Sequence, residues 1–312
     1  HRPHHGLRMN RWIIGARPRT LPAAVVPVAL GAACALDVPR GLGWWSTEGV
    51  VEAAGGLGPI WWRVGLALIV SLALQIGVNY ANDYSDGVRG TDDVRVGPAR
   101  LVASGFASAA SVKMAAFAAF GVAAIAGLAV ALSTSLWLLV VGMAAIAAGW
   151  FYTGGSHPYG YMGLGEVFVF VFFGLVATVG TTYAATETIT RLSIVLGAAA
   201  GALACALLVI NNLRDIPTDR DVGKKTLAVR LGDHRTRWFY VSLLGLAFVL
   251  AVVAAFDRRW VLIVLLSLPL AAVPSKRVVA GAEGMELISV LGETGRLQLV
   301  FGALATVGLV LG

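Results

Sequence analysis

The sequence predicts an all-α, polytopic membrane protein with about nine transmembrane helices, and three observations support this fold class. Only 13% of the 312 residues are charged, about half the share found in soluble domains. Hydrophobic residues make up 58% of the chain and gather in nine runs, most of them near the roughly 20 residues that a helix needs to cross a bilayer. Only helices suit such runs, because each backbone polar group must find its partner within its own segment.

The nine apolar segments follow one another along the whole chain. Their approximate bounds are 20–36, 64–82, 114–132, 135–152, 163–182, 192–211, 239–256, 260–274 and 297–312. The eighth is short and contains Pro269 and Pro274, and the ninth is short as well. We expect one transmembrane domain over residues 1–312, made of two pseudo-repeats at about 11–155 and 156–312, around a central cavity open to the cytoplasmic side.

Basic residues set the predicted orientation. With nine spans and a cytoplasmic N-terminus, most of the 24 lysine and arginine residues lie on the inner side. The outer side then holds Arg40, Arg63, Arg191, Arg258 and Arg259. This asymmetry follows the positive-inside rule and predicts a multi-pass protein of the plasma membrane. It also accounts for the net charge of +7 without a nucleic-acid partner, for which the sequence offers no motif.

Acidic residues gather at the ends of two predicted spans. Asp83, Asp86 and Asp92 stand where the second span meets the cytoplasm, and Asp215 and Asp219 stand where the sixth span does the same. Because both spans run from the outer to the inner side, the two clusters lie on one side of the membrane. Ionisable groups at such depth usually have a function.

Spacing places these acids on two helical faces. The faces carry Asn79, Asn82, Asp83 and Asp86 on the second span, and Asn211, Asp215 and Asp219 on the sixth. An Asn-x-x-x-Asp pattern thus occurs twice, which indicates a weak internal duplication.

Carboxylates at helix C-terminal ends are repelled by one another and by the negative end of the helix dipole. A bound cation would compensate this repulsion. Mg²⁺ takes one or two carboxylates and bridges to substrate phosphates. The two faces therefore predict a Mg²⁺–diphosphate site. The alternative is that these acids, Asp92 in particular, are solvated loop charges.

Basic residues follow each acidic cluster. They are Arg89, Arg95 and Arg100 after the first, and Lys224, Lys225 and Arg230 after the second. They suit a clamp on diphosphate oxygens, although positive-inside charge explains most of them equally well. Lys224 and Lys225 stand out because they follow Gly223 in a short, acid-rich loop. The sequence lacks the GxxxxGK[ST] pattern, which excludes a P-loop nucleotide site.

The acidic segments resemble the two signatures of the UbiA-type intramembrane prenyltransferase superfamily. These signatures are Asn-x-x-x-Asp-x-x-x-Asp and Asp-x-x-x-Asp, both at cytoplasmic helix ends. Here Asn82–Asp86 matches the first, and Asp215–Asp219 matches the second. The last position of the first signature is Gly90, and the acid follows two residues later as Asp92. That departure is similar to one branch, the 1,4-dihydroxy-2-naphthoate prenyltransferases of menaquinone synthesis.

Further segments resemble the same branch. They are Ala16–Ala23, Gly97–Gly105, Tyr152–Gly155 with Gly163–Glu166, and Asn211–Gly232. The resemblance covers about residues 11–300, while the tryptophan-containing loop at 38–63 has no counterpart that we can match. It implies a Mg²⁺ cofactor, a polyprenyl diphosphate, a 1,4-dihydroxy-2-naphthoate acceptor and a surrounding lipid bilayer. The implied reaction releases diphosphate and CO₂ and yields demethylmenaquinone.

This interpretation assigns three groups of residues. The candidate metal ligands are Asp86, Asp92, Asp215 and Asp219, and the candidate catalytic residues are Asn82, Asp83 and Lys224. The candidate substrate-binding residues are Asn79, Asn211, Arg100, Lys225, Tyr84, Tyr152 and Glu166. The two tyrosines would flank the allylic cation with aromatic faces, although interfacial packing explains them equally well. Glu166 would act on the acceptor hydroxyl.

Three other functions compete with this one. A prenyltransferase with another acceptor, such as a hydroxybenzoate or a homogentisate, would use the same metal platform. A CDP-alcohol phosphotransferase needs Asp-Gly-x-x-Ala-Arg, whereas Asp86-Gly87 is followed here by Val88-Arg89-Gly90-Thr91. A secondary transporter would place its coupling acids near the middle of the membrane rather than at cytoplasmic helix ends.

Overall fold

The computed structural model describes residues 11–36, 38, 58–90 and 100–312, and this part of the chain is largely helical. Its α-helices are α1 Arg11–Ala16, α2 Pro22–Cys34, α3 Trp61–Arg89, α4 Ala109–Ser133, α5 Trp137–Phe151, α6 Gly165–Phe170, α7 Ala177–Thr186, α8 Arg191–Asp221, α9 Leu227–Leu231, α10 Asp233–Ala254, α11 Leu268–Val279 and α12 Met285–Leu311. A π-helical turn, Val171–Val176, joins α6 to α7, and a 3₁₀ helix, Arg259–Ser267, leads into α11. The predicted all-α fold is confirmed.

Seven helices in the described part of the chain are long and apolar enough to cross a bilayer. They are Trp61–Arg89, Ala109–Ser133, Gly165–Thr186, Arg191–Asp221, Asp233–Ala254, Arg259–Val279 and Met285–Leu311. The shorter apolar helices α2 and α5 occupy the first and fourth predicted segments. With 15 residues, α5 is only about 22 Å long, against a hydrocarbon core of roughly 30 Å. The chain is therefore a multi-pass membrane protein, and seven helices among its described residues reach spanning length, whereas the sequence predicted about nine spans.

The last span begins earlier than the sequence predicts. α12 begins at Met285, so its first turns include the acid Glu293. The Arg277 guanidinium donates to the Glu293 carboxylate at 2.5 Å, and the Thr294 and Tyr240 hydroxyls form a hydrogen bond of 2.7 Å. Because these polar groups have partners within the protein, the helix can include them. Hydropathy alone assigns the same segment to a loop.

The central helix of the bundle is α8. It packs against α2, α10, α12 and the α6–α7 span. Of the 18 residues in its most apolar stretch, 78% are buried inside the protein. A Cβ atom on Gly174, in the π-helical turn, would lie 2.4 Å from the Cα atom of Gly201 on α8. Glycine at both positions therefore lets the two backbones touch, as in other small-residue helix contacts in membranes.

A buried arginine ties together the helix ends opposite the acidic clusters. Arg63, near the start of α3, donates to the Glu187 carboxylate at 2.8 Å and to the Ala184 carbonyl at 3.3 Å. It also donates to the carbonyl of Ser133, the last residue of α4. Carbonyls at helix C-termini have no partner within the helix, so this side chain satisfies them and fixes α3, α4 and α7 to one another.

Candidate functional site

A cavity of about 510 Å³ lies between α2, α3, α4, α5, the α6–α7 span and α8. One face of α3 lines it through Ala67, Val70, Ser71, Leu74, Gln75, Val78, Asn79 and Asn82. This face extends about 22 Å along the helix and changes from mainly apolar to mainly polar toward the acidic end of α3. The cavity therefore joins an apolar chamber to a polar end beside the acidic clusters.

Side chains from four parts of the fold form the polar end of the cavity. They are Arg17 and Arg19 before α2, Asn82 on α3, Tyr152 after α5 and Asn211 on α8. Asn82 lies one helical turn before Asp86, and Asn211 lies one turn before Asp215, on the same faces. The helical registers predicted from the sequence thus bring both asparagines to one cavity.

Asn79 connects the start of the chain to α3. Its side-chain amide donates to the Ala16 carbonyl at 2.9 Å and to the Thr20 hydroxyl at 3.0 Å. Arg17 donates in turn to the Asn79 backbone carbonyl at 3.3 Å. Asn79 was predicted to bind substrate, and its contacts hold the Arg17–Thr20 turn against the cavity wall.

The two acidic helix ends meet at Lys224. The Lys224 Nζ atom lies 3.2 Å from Oδ1 of Asp86 on α3 and 3.9 Å from Oδ1 of Asp219 on α8. All three side chains are largely buried. Burial by itself lowers the pKa of Lys224, but the charges of Asp86, Tyr161 and Asp219 and the hydrogen bond to Asp86 outweigh it and raise that pKa above its ordinary value. The ammonium group therefore stays charged and bridges two carboxylates from distant parts of the sequence.

Tyr161 completes this cluster from the connection between α5 and α6. Its hydroxyl donates a short hydrogen bond to Asp86 Oδ1. Lys224 Nζ lies 4.5 Å from the centre of the Tyr161 ring, and the Arg89 guanidinium lies 5.3 Å from the same centre. Two cations beside one aromatic ring gain a favourable interaction with its electron-rich face. The ring thus connects the Asp86–Lys224 pair to Arg89.

Asp83 binds backbone groups rather than facing the cavity. Its Oδ2 atom accepts the N–H of Leu101 at 2.9 Å, and its Oδ1 atom accepts the N–H of Val102 at 3.0 Å. The side chain is 1% exposed, and Asp83 is absent from the cavity lining among the described residues. This geometry fixes the 101–105 turn to α3, and the catalytic role that the sequence suggested for Asp83 stays a prediction.

Asp215 pairs with its neighbour in the chain. The Arg214 guanidinium donates to both oxygens of Asp215, from Nε at 2.7 Å and from Nη2 at 2.9 Å. Bidentate contacts of this kind are among the strongest charge-assisted hydrogen bonds. The carboxylate predicted as a metal ligand is therefore already compensated by a cation that the sequence pattern did not indicate.

Glu166 is a buried acid at the start of α6. Its Oε1 atom accepts the side-chain N–H of Asn212 at 2.9 Å, and its Oε2 atom has no hydrogen-bond partner among the described residues. Tyr152 lines the cavity, and its hydroxyl lies 3.3 Å from the Cβ position of Gly165, the neighbour of Glu166; Glu166 itself is not among the lining residues described. Burial, followed by the charge of Glu166, raises the pKa of Tyr152 well above its usual value, so its hydroxyl stays protonated.

Tyr84 lies away from the cavity lining. Its ring stacks on Trp150 with a centroid distance of 6.1 Å, and Lys113 Nζ lies 5.4 Å from its centre. The predicted role for Tyr84, an aromatic face toward the allylic cation, would require a residue that lines the cavity. Among the described residues, packing between α3, α4 and α5 explains Tyr84 better.

The remaining predicted residues lie near the cluster or outside the described ranges. The Lys225 side chain is exposed, and its backbone N–H donates to the Tyr161 carbonyl at 3.0 Å. Arg100 is partly buried at the start of the turn that Asp83 holds. Asp92 lies outside the described residues, so its role as a metal ligand stays a prediction.

The residues of the cluster fit a magnesium–diphosphate complex. The described residues contain no group of three or more His, Cys, Asp or Glu side chains arranged for a metal ion. Mg²⁺ held with a diphosphate needs only one or two carboxylates, because water and phosphate oxygens supply the other ligands. Asp86 and Asp219 provide two carboxylates. The ammonium group of Lys224 lies near both of them, so this position favours a positive charge.

Several residues of the site were missed by reasoning from the sequence. The Thr153 hydroxyl donates to Asn82 Oδ1 at 2.8 Å, and Arg89 donates to the Thr153 carbonyl. Arg17 and Arg19 lie in the segment Ala16–Ala23 that resembles the branch, but neither was predicted as a site residue. Tyr161 lies in a short connection without periodicity, and the one available signal was its position between two predicted spans close to Tyr152.

The relatives of the chain agree with one another over its full length. The profile of the UbiA prenyltransferase family matches residues 43–286. The chain is 49% identical over 298 residues to a 1,4-dihydroxy-2-naphthoate octaprenyltransferase of Mycobacterium tuberculosis, an alignment that covers 96% of both proteins. It is 34% identical to the protein of the same name from Escherichia coli, which covers 97% of this chain and 96% of that protein.

Solved structures resemble the fold as well. A UbiA homologue from Aeropyrum pernix K1 superposes with a TM-score of 0.68 at 15% identity, over 92% of this chain and 97% of that one. A UbiA homologue from Archaeoglobus fulgidus, bound to GPP and Mg²⁺, superposes with a TM-score of 0.57 at 16% identity, over 95% and 99% of the two chains. The family profile and the full-length relatives show that the chain belongs to the UbiA prenyltransferase family, and the solved structures share its fold.

Proposed function

We propose that this protein transfers a polyprenyl group from a polyprenyl diphosphate to 1,4-dihydroxy-2-naphthoate and releases diphosphate and CO₂, giving demethylmenaquinone in its reduced, hydroquinone form. The observation that carries this proposal is the meeting of Asp86 and Asp219 at Lys224, beside a cavity with a polar end and an apolar chamber. A diphosphate and a long hydrocarbon tail need these two environments next to each other. The names of the full-length relatives support the choice of acceptor.

The polar end suits the diphosphate. Asp86 and Asp219 would hold Mg²⁺, with Asp92 and Asp215 as further candidate ligands, and the bound ion would neutralise charge on the leaving diphosphate. Lys224 would move from its carboxylate partners toward a phosphate oxygen, since its ammonium group has three donors and its raised pKa keeps it charged. Asn82 and Asn211 would orient the phosphates or bound water.

The chemistry needs few proton transfers. The bond between the allylic carbon and the diphosphate oxygen breaks, and the electron pair leaves with diphosphate. The ring carbon that bears the carboxylate then bonds to the allylic cation, and loss of CO₂ returns an electron pair to the ring. Because CO₂ leaves in place of a ring proton, the step needs no base for that carbon.

The residues beside the cavity would position the acceptor. Glu166 has one oxygen held by Asn212 and a second without a partner in the described part of the chain, which suits an interaction with an acceptor hydroxyl. Tyr152 would supply an aromatic wall at the same end of the cavity. The apolar lining of the chamber would exclude water, which could otherwise attack the cation.

The orientation in the membrane is part of the proposal. We place the protein in the plasma membrane with nine membrane-embedded helices, where α2 and α5 are the two that fall short of a full span. The basic residues near the cluster, among them Arg17, Arg19 and Arg89, favour the cytoplasmic side by the positive-inside rule. The polar end of the cavity would then open toward the cytoplasm.

The direct test is an enzyme assay in membranes. Membranes that contain the protein are incubated with 1,4-dihydroxy-2-naphthoate, a labelled polyprenyl diphosphate and Mg²⁺, and the lipid extract is examined for labelled demethylmenaquinone. We expect product with Mg²⁺ and none after chelation with EDTA. Product from a hydroxybenzoate or a homogentisate, but none from dihydroxynaphthoate, would overturn the proposed acceptor.

The metal assignment is tested with Asp86→Ala and Asp215→Ala in the same membranes. We expect both variants to lose activity while they insert at the wild-type level, as measured by immunoblot of the membrane fraction. Turnover at the wild-type rate in both variants would contradict the proposed metal site.

A further inference from the structure

The far end of the cavity contains open space beside two glycines. Gly142 on α5 and Gly180 on α7 both line the cavity, and a Cβ atom added at either would find no described atom within 4 Å. Gly142 lies about 15 Å along the helix axis from Tyr152, and Gly180 lies about 18 Å from Phe168. Both glycines are therefore remote from the polar end, in the apolar chamber.

These glycines differ from a third glycine of the same wall. A Cβ atom on Gly149 would lie 3.0 Å from Val78 Cγ2 and 3.2 Å from Phe120 Cε1, so Gly149 permits close packing of α5 on α3 and α4. Packing of this kind is the usual reason for glycine in membrane helices. It does not apply to Gly142 and Gly180, because the described residues leave the space beside them empty.

The gap between α5 and the α6–α7 span gives this space its shape. α5 packs against α3 and α4, whereas the α6–α7 span packs against α2, α3 and α8. Met143 on α5 lines the cavity and is 63% exposed, and Leu128 on α4 lines it and is 46% exposed. The apolar chamber therefore continues to the outer, lipid-facing surface of the protein beside α4 and α5.

We infer that Gly142 and Gly180 keep this part of the chamber wide enough for the distal isoprene units of a long polyprenyl chain, and so allow the site to bind long tails. The inference deepens the proposed function and rests on it for the identity of the tail. A larger side chain at either position would occupy the space of the distal units and leave the diphosphate and the first units unaffected. Loss of affinity should thus increase with tail length.

The experiment compares Gly142→Leu and Gly180→Leu with Gly245→Leu. Gly245 on α10 also has open space around its Cβ position and lies outside the cavity lining, so it controls for the change from glycine to leucine. Leucine favours a helix more than glycine does, so each variant should keep its fold. Equilibrium binding of labelled geranyl diphosphate and octaprenyl diphosphate is measured for each purified protein in the presence of Mg²⁺.

We expect the ratio of octaprenyl to geranyl affinity to fall by about tenfold or more in the two cavity variants and to stay unchanged in Gly245→Leu. The ratio does not depend on the folded fraction, because both ligands report on the same folded molecules. An unchanged ratio in both cavity variants would overturn the inference. Wild-type protein that binds both diphosphates but does not prenylate dihydroxynaphthoate would contradict the proposed function alone.

Discussion

The two Asn-x-x-x-Asp segments look alike in the sequence and make different contacts in the structure. Asp83 on α3 accepts hydrogen bonds from two backbone N–H groups, whereas Asp215 on α8 accepts two hydrogen bonds from the Arg214 guanidinium. Asn79 holds the Arg17–Thr20 turn. The same pattern thus stabilises a turn in the first half of the chain and pairs with a cation in the second half.

The acids that follow these segments behave alike. Asp86 lies three residues after Asp83, and Asp219 lies four residues after Asp215, and both carboxylates approach Lys224. Helical spacing explains why each acid shares a face with its asparagine, but it does not tell which acids meet across the bundle. The comparison supports our proposal that Asp86 and Asp219 hold the metal ion and that Asp83 supports the helix that carries Asp86.

The largest expected effect belongs to the two converging acids. Asp86→Asn and Asp219→Asn each remove a charged oxygen ligand at nearly constant volume, so we expect the rate at saturating Mg²⁺ to fall by at least about 100-fold. Asp221→Asn is the matched control, because Asp221 is exposed at the end of the same helix, α8. A control variant that loses as much activity as Asp219→Asn would show that any acid in this region matters equally.

The next effect belongs to the lysine between them. Lys224→Gln removes a charged hydrogen-bond donor at a buried site, which should cost about 1.5–3 kcal/mol, or roughly 10- to 150-fold in kcat/KM for the prenyl diphosphate. Lys225→Gln is the control, since that side chain is exposed. Steady-state kinetics with both variants measures the difference, and equal losses would contradict the special position of Lys224.

The pH dependence sharpens this prediction. The pKa of Lys224 is raised in the folded protein, so its charge stabilises the fold fully below the ordinary value of 10.5. That stabilisation is lost only when the pH rises through the still higher folded value. Lys224 therefore stays charged between about pH 6 and 9, as an arginine at this position would. The rates of the wild type and of Lys224→Arg should depend on pH in the same way over this range.

The sequence predicted the apolar helices and the cavity-facing asparagines because both follow from local periodicity. Asn82 and Asn211 line the cavity, as their registers imply. The contacts of Asp83 and Asp215 depend on which donors lie nearby in three dimensions, which helical spacing does not specify. Arg214 precedes Asp215 directly, and neighbours in sequence are not expected to face each other on a helix, so the pair had no signal in the pattern.

The predicted pseudo-repeats and the site assignments are still predictions. Asp92 lies outside the described residues, and the spans differ between the two halves of the chain. Most residues in the apolar stretch of α8 are buried inside the protein, whereas fewer than half of those in the apolar stretch of α3 are. The two helices that carry the acidic clusters thus differ in burial as well as in the partners of their acids.

The third expected effect is a loss of stability in a variant of Asp83, which distinguishes this acid from Asp86. Asp83→Ala leaves the N–H groups of Leu101 and Val102 without their acceptor, which should lower the free energy of unfolding by about 1–3 kcal/mol. Thermal unfolding in detergent should show a lower midpoint, while the Mg²⁺ concentration for half-maximal activity stays at the wild-type value. A changed Mg²⁺ requirement without a change in stability would restore the catalytic role that the sequence suggested for Asp83.

The smallest effect concerns a residue that holds an asparagine in place. The Thr153 hydroxyl donates to Asn82 Oδ1 at 2.8 Å, which directs the Asn82 amide N–H groups elsewhere in the polar end of the cavity. Thr153→Val keeps the shape of the side chain and removes one neutral hydrogen bond, worth about 0.5–1.5 kcal/mol, or roughly two- to tenfold in kcat/KM. Thr153→Ser keeps the donor and should restore most of the rate.

The two Thr153 variants also separate positioning from packing. If Thr153 acts only by filling space, Thr153→Val should match the wild type, and Thr153→Ser, which lacks the methyl group, should be the slower enzyme. If it acts by holding Asn82, the order reverses, and the double variant Thr153→Val with Asn82→Ala should be no slower than Asn82→Ala alone. The contact joins the α5–α6 connection, which also carries Tyr161, to α3. This cycle therefore tests whether the position of Asn82 depends on that connection.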